Sequence, residues 1–147
     1  RALLFVGESG AGKTTAARLL GGSLLARDRV VVWPGSDGPW VGSVCDLDGR
    51  AEGLPVSNRR AAPLAGILRV RRAPSAETAR VRWCADPFQA LDLLQTQAFW
   101  PNEPALAGEL LTALDALSNQ ARVGEVFTHL ERPLAPLFKL ENVALEC

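Results

Sequence analysis

The chain contains no methionine, a single histidine and three cysteines, and it carries no net charge. Because 16 basic residues balance 16 acidic ones, the composition argues against nucleic acid as a partner, since nucleic acid is recognised largely through phosphate-backbone charge. No apolar stretch approaches the roughly 20 residues of a membrane span, and no signal peptide is visible. We therefore expect neither nucleic-acid binding nor membrane insertion.

The cysteines, Cys45, Cys84 and Cys147, are scattered, with no CxxC pair and no metal-like spacing. This usage is typical of a reducing compartment, so the sequence predicts a cytoplasmic protein. Average composition would give about three methionines in a chain of this length. Their absence, and the start at Arg1 directly before a strand-like run, predict that the chain is part of a longer polypeptide, and they leave open whether internal residues are missing.

Hydrophobic residues make up 48% of the 147 residues and charged residues 22%, which is typical of one ordinary domain. Short apolar or β-branched runs between turn residues predict strands. These are Ala2–Val6 (as a fully buried strand), Val30–Trp33, Trp40–Val44 (as its hairpin partner), Leu64–Val70, Ala79–Trp83, Leu137–Leu140 and Val143–Leu145. Residues 46–63 are rich in turn residues and predict a functional loop.

A helical subregion is predicted over residues 86–122. Asp86, Pro87 and Gln89 have the pattern of a helix start, and Asn102 before Pro104 predicts a second one. Apolar residues at helical spacing follow each start: Phe88, Leu91, Leu94 and Ala98, then Leu106, Leu110, Leu114 and Leu117. Large aromatic residues flank this subregion and are expected in the core: Trp83, Phe88, Phe99 and Trp100. The whole chain is thus predicted to be one α/β domain, a mixed sheet with flanking helices.

The motif that carries chemistry is the segment GESGAGKT at residues 7–14, which matches the Walker A pattern GxxxxGK[ST] between a predicted strand and a helix. Its glycines let successive backbone N–H groups surround an anion, and the helix start favours phosphate there. The predicted nucleotide-binding residues are Gly7, Glu8, Ser9, Gly10, Ala11, Gly12, Lys13, Thr14 and Thr15. Lys13 is expected to reach the terminal phosphates and the Thr14 hydroxyl to ligate Mg²⁺.

The motif alone does not define the reaction, because phosphoryl transfer also needs a carboxylate near the γ-phosphate. Asp28, directly before the second predicted strand, is the candidate by position. The alternative is a solvated aspartate between Arg27 and Arg29. Spacing alone leaves both interpretations open.

Several further blocks carry a resemblance to a known family. They are LLARDRVVV (24–32), GLPVSN (53–58), APLAGI (62–67), Pro87–Phe99 and Leu134–Leu140. With the Walker A motif, these blocks resemble the HPr serine kinase/phosphorylase-like proteins, whose catalytic domain is similar to phosphoenolpyruvate carboxykinase. The resemblance covers nearly the whole chain and implies a P-loop kinase domain of that type.

The resemblance implies an ATP- and Mg²⁺-dependent kinase that phosphorylates a hydroxyl, expected to be a serine, of a protein or peptide. Asp28 would accept the hydroxyl proton, with Lys13 as the other catalytic residue. The metal would be held by Thr14, Asp28 and Glu52. Family members often assemble, so a homo-oligomer is compatible with the resemblance.

The family carries an acidic pair where this chain has Arg27 and Asp28. A second hypothesis is therefore a non-catalytic nucleotide-binding sensor or subunit that has lost part of that pair. A third is a P-loop NTP hydrolase. His129 is expected to be structural or exposed, Arg59 and Arg60 a solvated basic pair, and the arginines 69, 71 and 72 the exposed end of a strand.

Overall fold

The computed structural model describes residues 1–26, 29–44 and 55–139. This part of the chain contains six strands and four α-helices. In chain order they are β1 (Ala2–Val6), α1 (Lys13–Leu20), β2 (Val30–Gly35), β3 (Gly38–Ser43), β4 (Ala61–Arg72), β5 (Arg80–Trp83), α2 (Pro87–Gln95), α3 (Pro104–Gln120), β6 (Val123–Thr128) and α4 (Ala135–Lys139). The predicted α/β class with a mixed sheet and flanking helices is confirmed.

The central strand β4 organises the sheet. It pairs in parallel with β1 on one side and with β6 on the other, and its first residues pair antiparallel with β3. The hairpin β2–β3 extends the sheet beyond β4, and β5 pairs antiparallel with β6. Because β1, β4 and β6 are parallel, their carboxyl ends meet at one edge of the sheet, where α/β folds commonly bind ligands.

Two helical layers cover the sheet, because successive side chains of a strand point to opposite faces. Leu68 of β4 packs with α1 and α4, whereas its neighbour Ile67 packs with α2 and α3. The first layer buries Ala16, Leu68, Val70, Val126, Leu134 and Phe138, and the second buries Ile67, Ala90, Leu93, Leu94, Leu114 and Val123. The core is therefore divided into two clusters by β4 and its parallel neighbours.

The start of α2 follows the predicted capping pattern. The Asp86 carboxylate accepts a hydrogen bond from the Gln89 N–H at 3.0 Å, and the Gln89 side chain accepts one from the Ala85 N–H at 3.2 Å. Pro87 occupies the first turn, where its missing N–H is not needed. In α3 the cap is Glu103 rather than the predicted Asn102, and it makes no side-chain capping bond.

Strand β1 is half-buried along its length rather than fully buried as predicted. The reason is topological, because the described residues give β1 one strand neighbour, β4, which leaves its other edge unpaired within this part of the chain.

The predicted boundaries fail at two other places. Residues 61–63 belong to β4 and not to the loop predicted over 46–63, because β4 continues to pair with β3 there. Where a strand is predicted at Leu137–Leu140, the structure has α4 as far as Lys139, and its Phe138 is fully buried in the first core cluster; Leu140 lies outside the described residues. The strand predicted at Val143–Leu145 lies outside the described residues.

Three aromatic residues expected in the core are exposed instead. Phe88, Phe99 and Trp100 have 84%, 92% and 42% of their surface accessible. Ala90, Leu93 and Leu94 provide the buried face of α2, so Phe88 at the helix start points away from it. No helix within the described ranges is long and apolar enough to span a bilayer.

Candidate functional site

The glycine-rich loop of residues 7–14 connects β1 to α1 at the carboxyl edge of the sheet. Its three glycines, Gly7, Gly10 and Gly12, all have positive φ angles, of 145°, 80° and 96°. Residues with a side chain rarely adopt such angles, so the pattern of glycines is what permits this backbone path. The Ala11 N–H closes a turn onto the Glu8 carbonyl at 3.1 Å.

The Lys13 side chain folds back across this loop. Its Nζ donates hydrogen bonds to the Gly7 carbonyl at 2.8 Å and to the Glu8 carbonyl at 2.9 Å. The ammonium group is thus held over the loop by two backbone oxygens, although Lys13 itself begins the helix. A positive charge fixed at this point is suited to a phosphate lying on the loop.

The start of α1 adds to the positive potential. Gly12 caps the helix, and the first turn contains no acidic residue that would neutralise its free N–H groups. Thr14 is exposed beside Lys13, and Thr15 is half-buried. Glu8, Ser9 and Gly10 are exposed at the tip of the loop. The arrangement can bind an anion through backbone N–H groups, the helix terminus and one ammonium group.

The loop is seated directly against β4. A Cβ atom placed on Gly7 would lie 3.2 Å from the Ala11 Cβ and 3.7 Å from the Val70 carbonyl oxygen. The first contact is tighter than ordinary packing, so Gly7 is required both by its φ angle and by this close approach. The loop therefore lies at the carboxyl ends of both β1 and β4.

An open cleft of about 1850 Å³ borders the loop. Among the described residues it is lined by Lys13 and Thr14, by both faces of β1, and by Trp33 of the β2–β3 hairpin. Arg59, from the basic pair singled out in the sequence, also lines it and is exposed. The cleft is larger than the 300–1,000 Å³ of typical small-molecule pockets.

The predicted carboxylates are not placed by the structure. Asp28 and Glu52, together with Arg27, lie outside the described residues. Within residues 1–26, 29–44 and 55–139, no group of three or more histidine, cysteine, aspartate or glutamate side chains is arranged to hold a metal. Of the three metal ligands that the sequence predicts, the structure describes Thr14 alone, whose hydroxyl is an oxygen donor suited to Mg²⁺.

Two other residues singled out in the sequence, His129 and Cys84, make few side-chain interactions with described residues. His129 lies 4.0 Å from the Glu131 carboxylate and is partly exposed, as expected. Cys84 is a free thiol, and burial together with the nearby carboxylates of Glu125 and Asp86 raises its pKa above the ordinary value. A raised pKa leaves less of the reactive thiolate at neutral pH.

One arrangement was not predicted from the sequence. Glu125 of β6 accepts hydrogen bonds from two arginines on different strands, Arg71 at 3.1 Å and Arg82. Burial raises the pKa of this carboxyl, but the hydrogen bonds from Arg82 and Arg71 outweigh burial and lower the pKa below its ordinary value. Arg71 and Arg72 are exposed at the strand end, as expected, but Arg71 is paired with Glu125. Arg69, expected to be exposed with them, is half-buried, because it lies inside β4 between two paired strands.

A signal for this arrangement is present in the sequence. The triplet Arg-Val-Arg occurs twice, at residues 69–71 and 80–82. Alternation along a strand places both arginines of each triplet on one face. That the two triplets share the same face could not be read from the sequence, because β6 lies between them in the sheet.

Comparison with known proteins found no matching family model, no matching curated protein and no matching solved structure. The function of the site is therefore argued from the geometry and chemistry of its own residues.

Proposed function

We propose that this chain is an ATP-dependent kinase with a P-loop domain of the HPr serine kinase-like type, acting on a hydroxyl of a protein or peptide in the cytoplasm. The observation that carries the proposal is the Lys13 ammonium, hydrogen-bonded to the Gly7 and Glu8 carbonyls over a loop with three positive-φ glycines. This combination of backbone N–H groups, helix start and ammonium group is suited to the terminal phosphates of a nucleotide.

Each described residue has a role in this proposal. The loop N–H groups donate hydrogen bonds to phosphate oxygens, and Lys13 exchanges its backbone partners for the β- and γ-phosphates. The Thr14 hydroxyl supplies one oxygen ligand for Mg²⁺, with Asp28 and Glu52 as the proposed carboxylate ligands. Bound Mg²⁺ would offset charge on the terminal phosphates.

The proposed reaction transfers the γ-phosphoryl group of ATP directly to the acceptor hydroxyl. The acceptor oxygen forms a bond to the γ-phosphorus, the bond from that phosphorus to the β–γ bridging oxygen breaks, and ADP leaves. Asp28 accepts the proton of the acceptor hydroxyl, a role worth about 10²–10⁴ in rate. Lys13 remains in place and stabilises the charge that develops on the transferring group.

A second candidate is a nucleotide-binding sensor without transfer activity. It is favoured by Arg27 beside Asp28, where the resembled family has two acidic residues. Both candidates share the nucleotide-binding loop and differ in the role of Asp28.

Two substitutions test these proposals. Lys13→Ala should weaken ATP binding about 100-fold, because hydrogen bonds from a charged group to phosphate are worth roughly 2–3 kcal/mol. Asp28→Asn should leave ATP affinity within about twofold and reduce transfer at least about 100-fold. ATP binding is measured by titration calorimetry, and transfer by labelled γ-phosphate incorporated into a lysate of the cells that make the protein.

The matched control compares two threonines, each exposed on a helix. Thr14→Ala should weaken Mg²⁺-dependent ATP binding, whereas Thr112→Ala on α3 should not change it. ATP binding that survives Lys13→Ala unchanged would contradict the nucleotide site. Binding without any transfer by the unmodified chain would contradict the kinase and support the sensor, and transfer that survives Asp28→Asn would show that another group is the base.

A further inference from the structure

Four arginines form a basic surface on the sheet, beside the glycine-rich loop. The strand registers place Arg69, Glu125 and Arg82 in one row across β4, β6 and β5, and Arg71, Phe127 and Arg80 in the next row. Residues directly opposite on paired strands share a face, so all six side chains lie on the α2–α3 side of the sheet. We call these six residues the arginine face.

Contacts within the arginine face hold three of its four guanidinium groups, those of Arg71, Arg80 and Arg82. Glu125 accepts hydrogen bonds from Arg71 and Arg82, although 46% and 66% of these two arginine side chains remain exposed. Arg80 and Arg82 lie over the Phe127 ring, with 4.6 and 5.8 Å from guanidinium carbon to ring centroid. These three guanidinium groups are therefore positioned before a partner binds, which lowers the entropic cost of binding.

The charge of the arginine face is not balanced locally. Four guanidinium groups against the Glu125 carboxylate leave three net positive charges, or two when Asp86 at the start of α2 is included. Glu125 offers about four acceptor positions, whereas the guanidinium groups of Arg71 and Arg82 alone carry ten N–H donors. Arg69 makes no hydrogen bond or ion pair with any residue of the described ranges. Most donors on this surface are thus available to an anionic partner.

The position of the arginine face links it to the loop. Arg69 is paired with Val6, the residue that precedes Gly7. Gly7 itself lies against Val70, between Arg69 and Arg71 in the strand. A molecule bound across these arginines therefore approaches the loop from the side of β4.

We propose that the arginine face docks an extended acidic segment of a polypeptide. Neighbouring arginines of one triplet are about 6.6 Å apart, since a strand rises about 3.3 Å per residue. Alternate carboxylates of an extended acidic segment repeat at the same spacing, and the guanidinium fork binds carboxylates in a bidentate manner. In the terms of the proposed kinase, on which this step rests, the docked segment belongs to the acceptor and brings its hydroxyl toward the loop.

Nucleic acid fits this surface less well. Recognition of single strands uses exposed aromatic rings on which bases stack. Phe127, the aromatic ring of the arginine face, is already covered by Arg80 and Arg82. The described surface offers four cations within two rows. That number is small for a protein that binds along a nucleic-acid backbone by contacting successive phosphates.

The test measures peptide binding directly. The probe is a short fluorescein-labelled peptide in which glutamate alternates with threonine around one serine, and its control is the same peptide with glutamine for glutamate. We expect the acidic peptide to bind at least about tenfold more tightly, by fluorescence anisotropy, and to weaken as salt is raised. The double substitution Arg69→Gln/Arg80→Gln should remove that preference, since it leaves both hydrogen bonds of Glu125 in place.

One control tests whether the loss of positive charge anywhere on the protein has the same effect as its loss from the arginine face. A second control tests whether peptide docking is independent of nucleotide binding. Arg1→Gln/Arg29→Gln removes the same charge from two exposed arginines elsewhere and should change affinity less than about twofold. Lys13→Ala should weaken ATP binding about 100-fold and leave peptide binding unchanged, so failure of one proposal does not imply failure of the other. Equal binding of the two peptides, equal effects of the two double substitutions, or tighter binding of a single-stranded oligonucleotide would each overturn the docking proposal.

Discussion

The glycine-rich loop and the arginine face meet at the same edge of the sheet but are built in different ways. The loop is formed by eight consecutive residues, and its shape follows from glycines at fixed positions in that run. The arginine face is assembled from β4, β5 and β6, so residues as far apart as 69 and 127 become neighbours. A local motif can thus be recognised from sequence, whereas a surface made by strand pairing depends on the sheet as a whole.

Truncation of a buried core side chain should destabilise the loop and the arginine face together. We expect it to have the largest effect on the free energy of unfolding. Leu68 is fully buried in β4 between Ile67 and Arg69. Leu68→Ala should lower the free energy of unfolding by about 3 kcal/mol, through lost burial and a residual cavity. Leu111→Ala, at a position 42% exposed on α3, should change it by less than about 1 kcal/mol. Urea unfolding measures both, and comparable losses would show that Leu68 is not in a packed core.

A glycine substitution should perturb the loop without perturbing the arginine face. Gly7→Ala should cost about 1–2 kcal/mol of stability and weaken ATP binding, because alanine at φ 145° is strained and contacts Ala11. Gly108→Ala, inside α3 with open space around it, should instead stabilise by about 0.5–1 kcal/mol. Acidic-peptide binding should be unchanged in both variants. Equal stability changes in thermal melts would contradict the strained loop.

Substitution of Glu125 tests the arginine face, and we expect it to have the smallest effect on stability of the three. Because the folded-state pKa of Glu125 is lowered, its contribution to stability is present above the pKa of the unfolded chain and is lost as pH falls through the folded value. Glu125→Gln should therefore cost about 1 kcal/mol at pH 7, and the difference from the unmodified chain should shrink as the solution becomes strongly acidic.

The measurement for this prediction is urea unfolding across that pH range. Glu109→Gln, an exposed position on α3, serves as the matched control and should show little effect at any pH. A cost at Glu125 that stays constant down to strongly acidic pH would contradict the ion pairs with Arg71 and Arg82.

Prediction from the sequence succeeded where the signal was local. The hairpin around residues 34–38, the cap at Asp86 and the turn of the glycine-rich loop each depend on a few adjacent residues, and the structure has all three. Prediction failed where contacts between residues distant in the sequence determine the local structure. Leu137–Leu140 has a strand-like composition, but docking of Phe138 into the core is compatible with a short helix there. Phe88 is exposed because other residues of α2 fill the space under the helix, and Phe99, which follows that helix, is exposed as well.

The amino-acid sequence by itself determined the α/β class, the order of most elements and the position of the glycine-rich loop. Hydrophobic periodicity, glycine conformation and helix capping are short-range effects that every folded arrangement of the chain must respect. The tertiary structure alone decided that β4 lies between β1 and β6, and hence that Gly7 lies against Val70 and that Glu125 is shared by Arg71 and Arg82. Strand pairing between distant segments is selected by the packing of the whole core, and that selection is not encoded in any one stretch of residues.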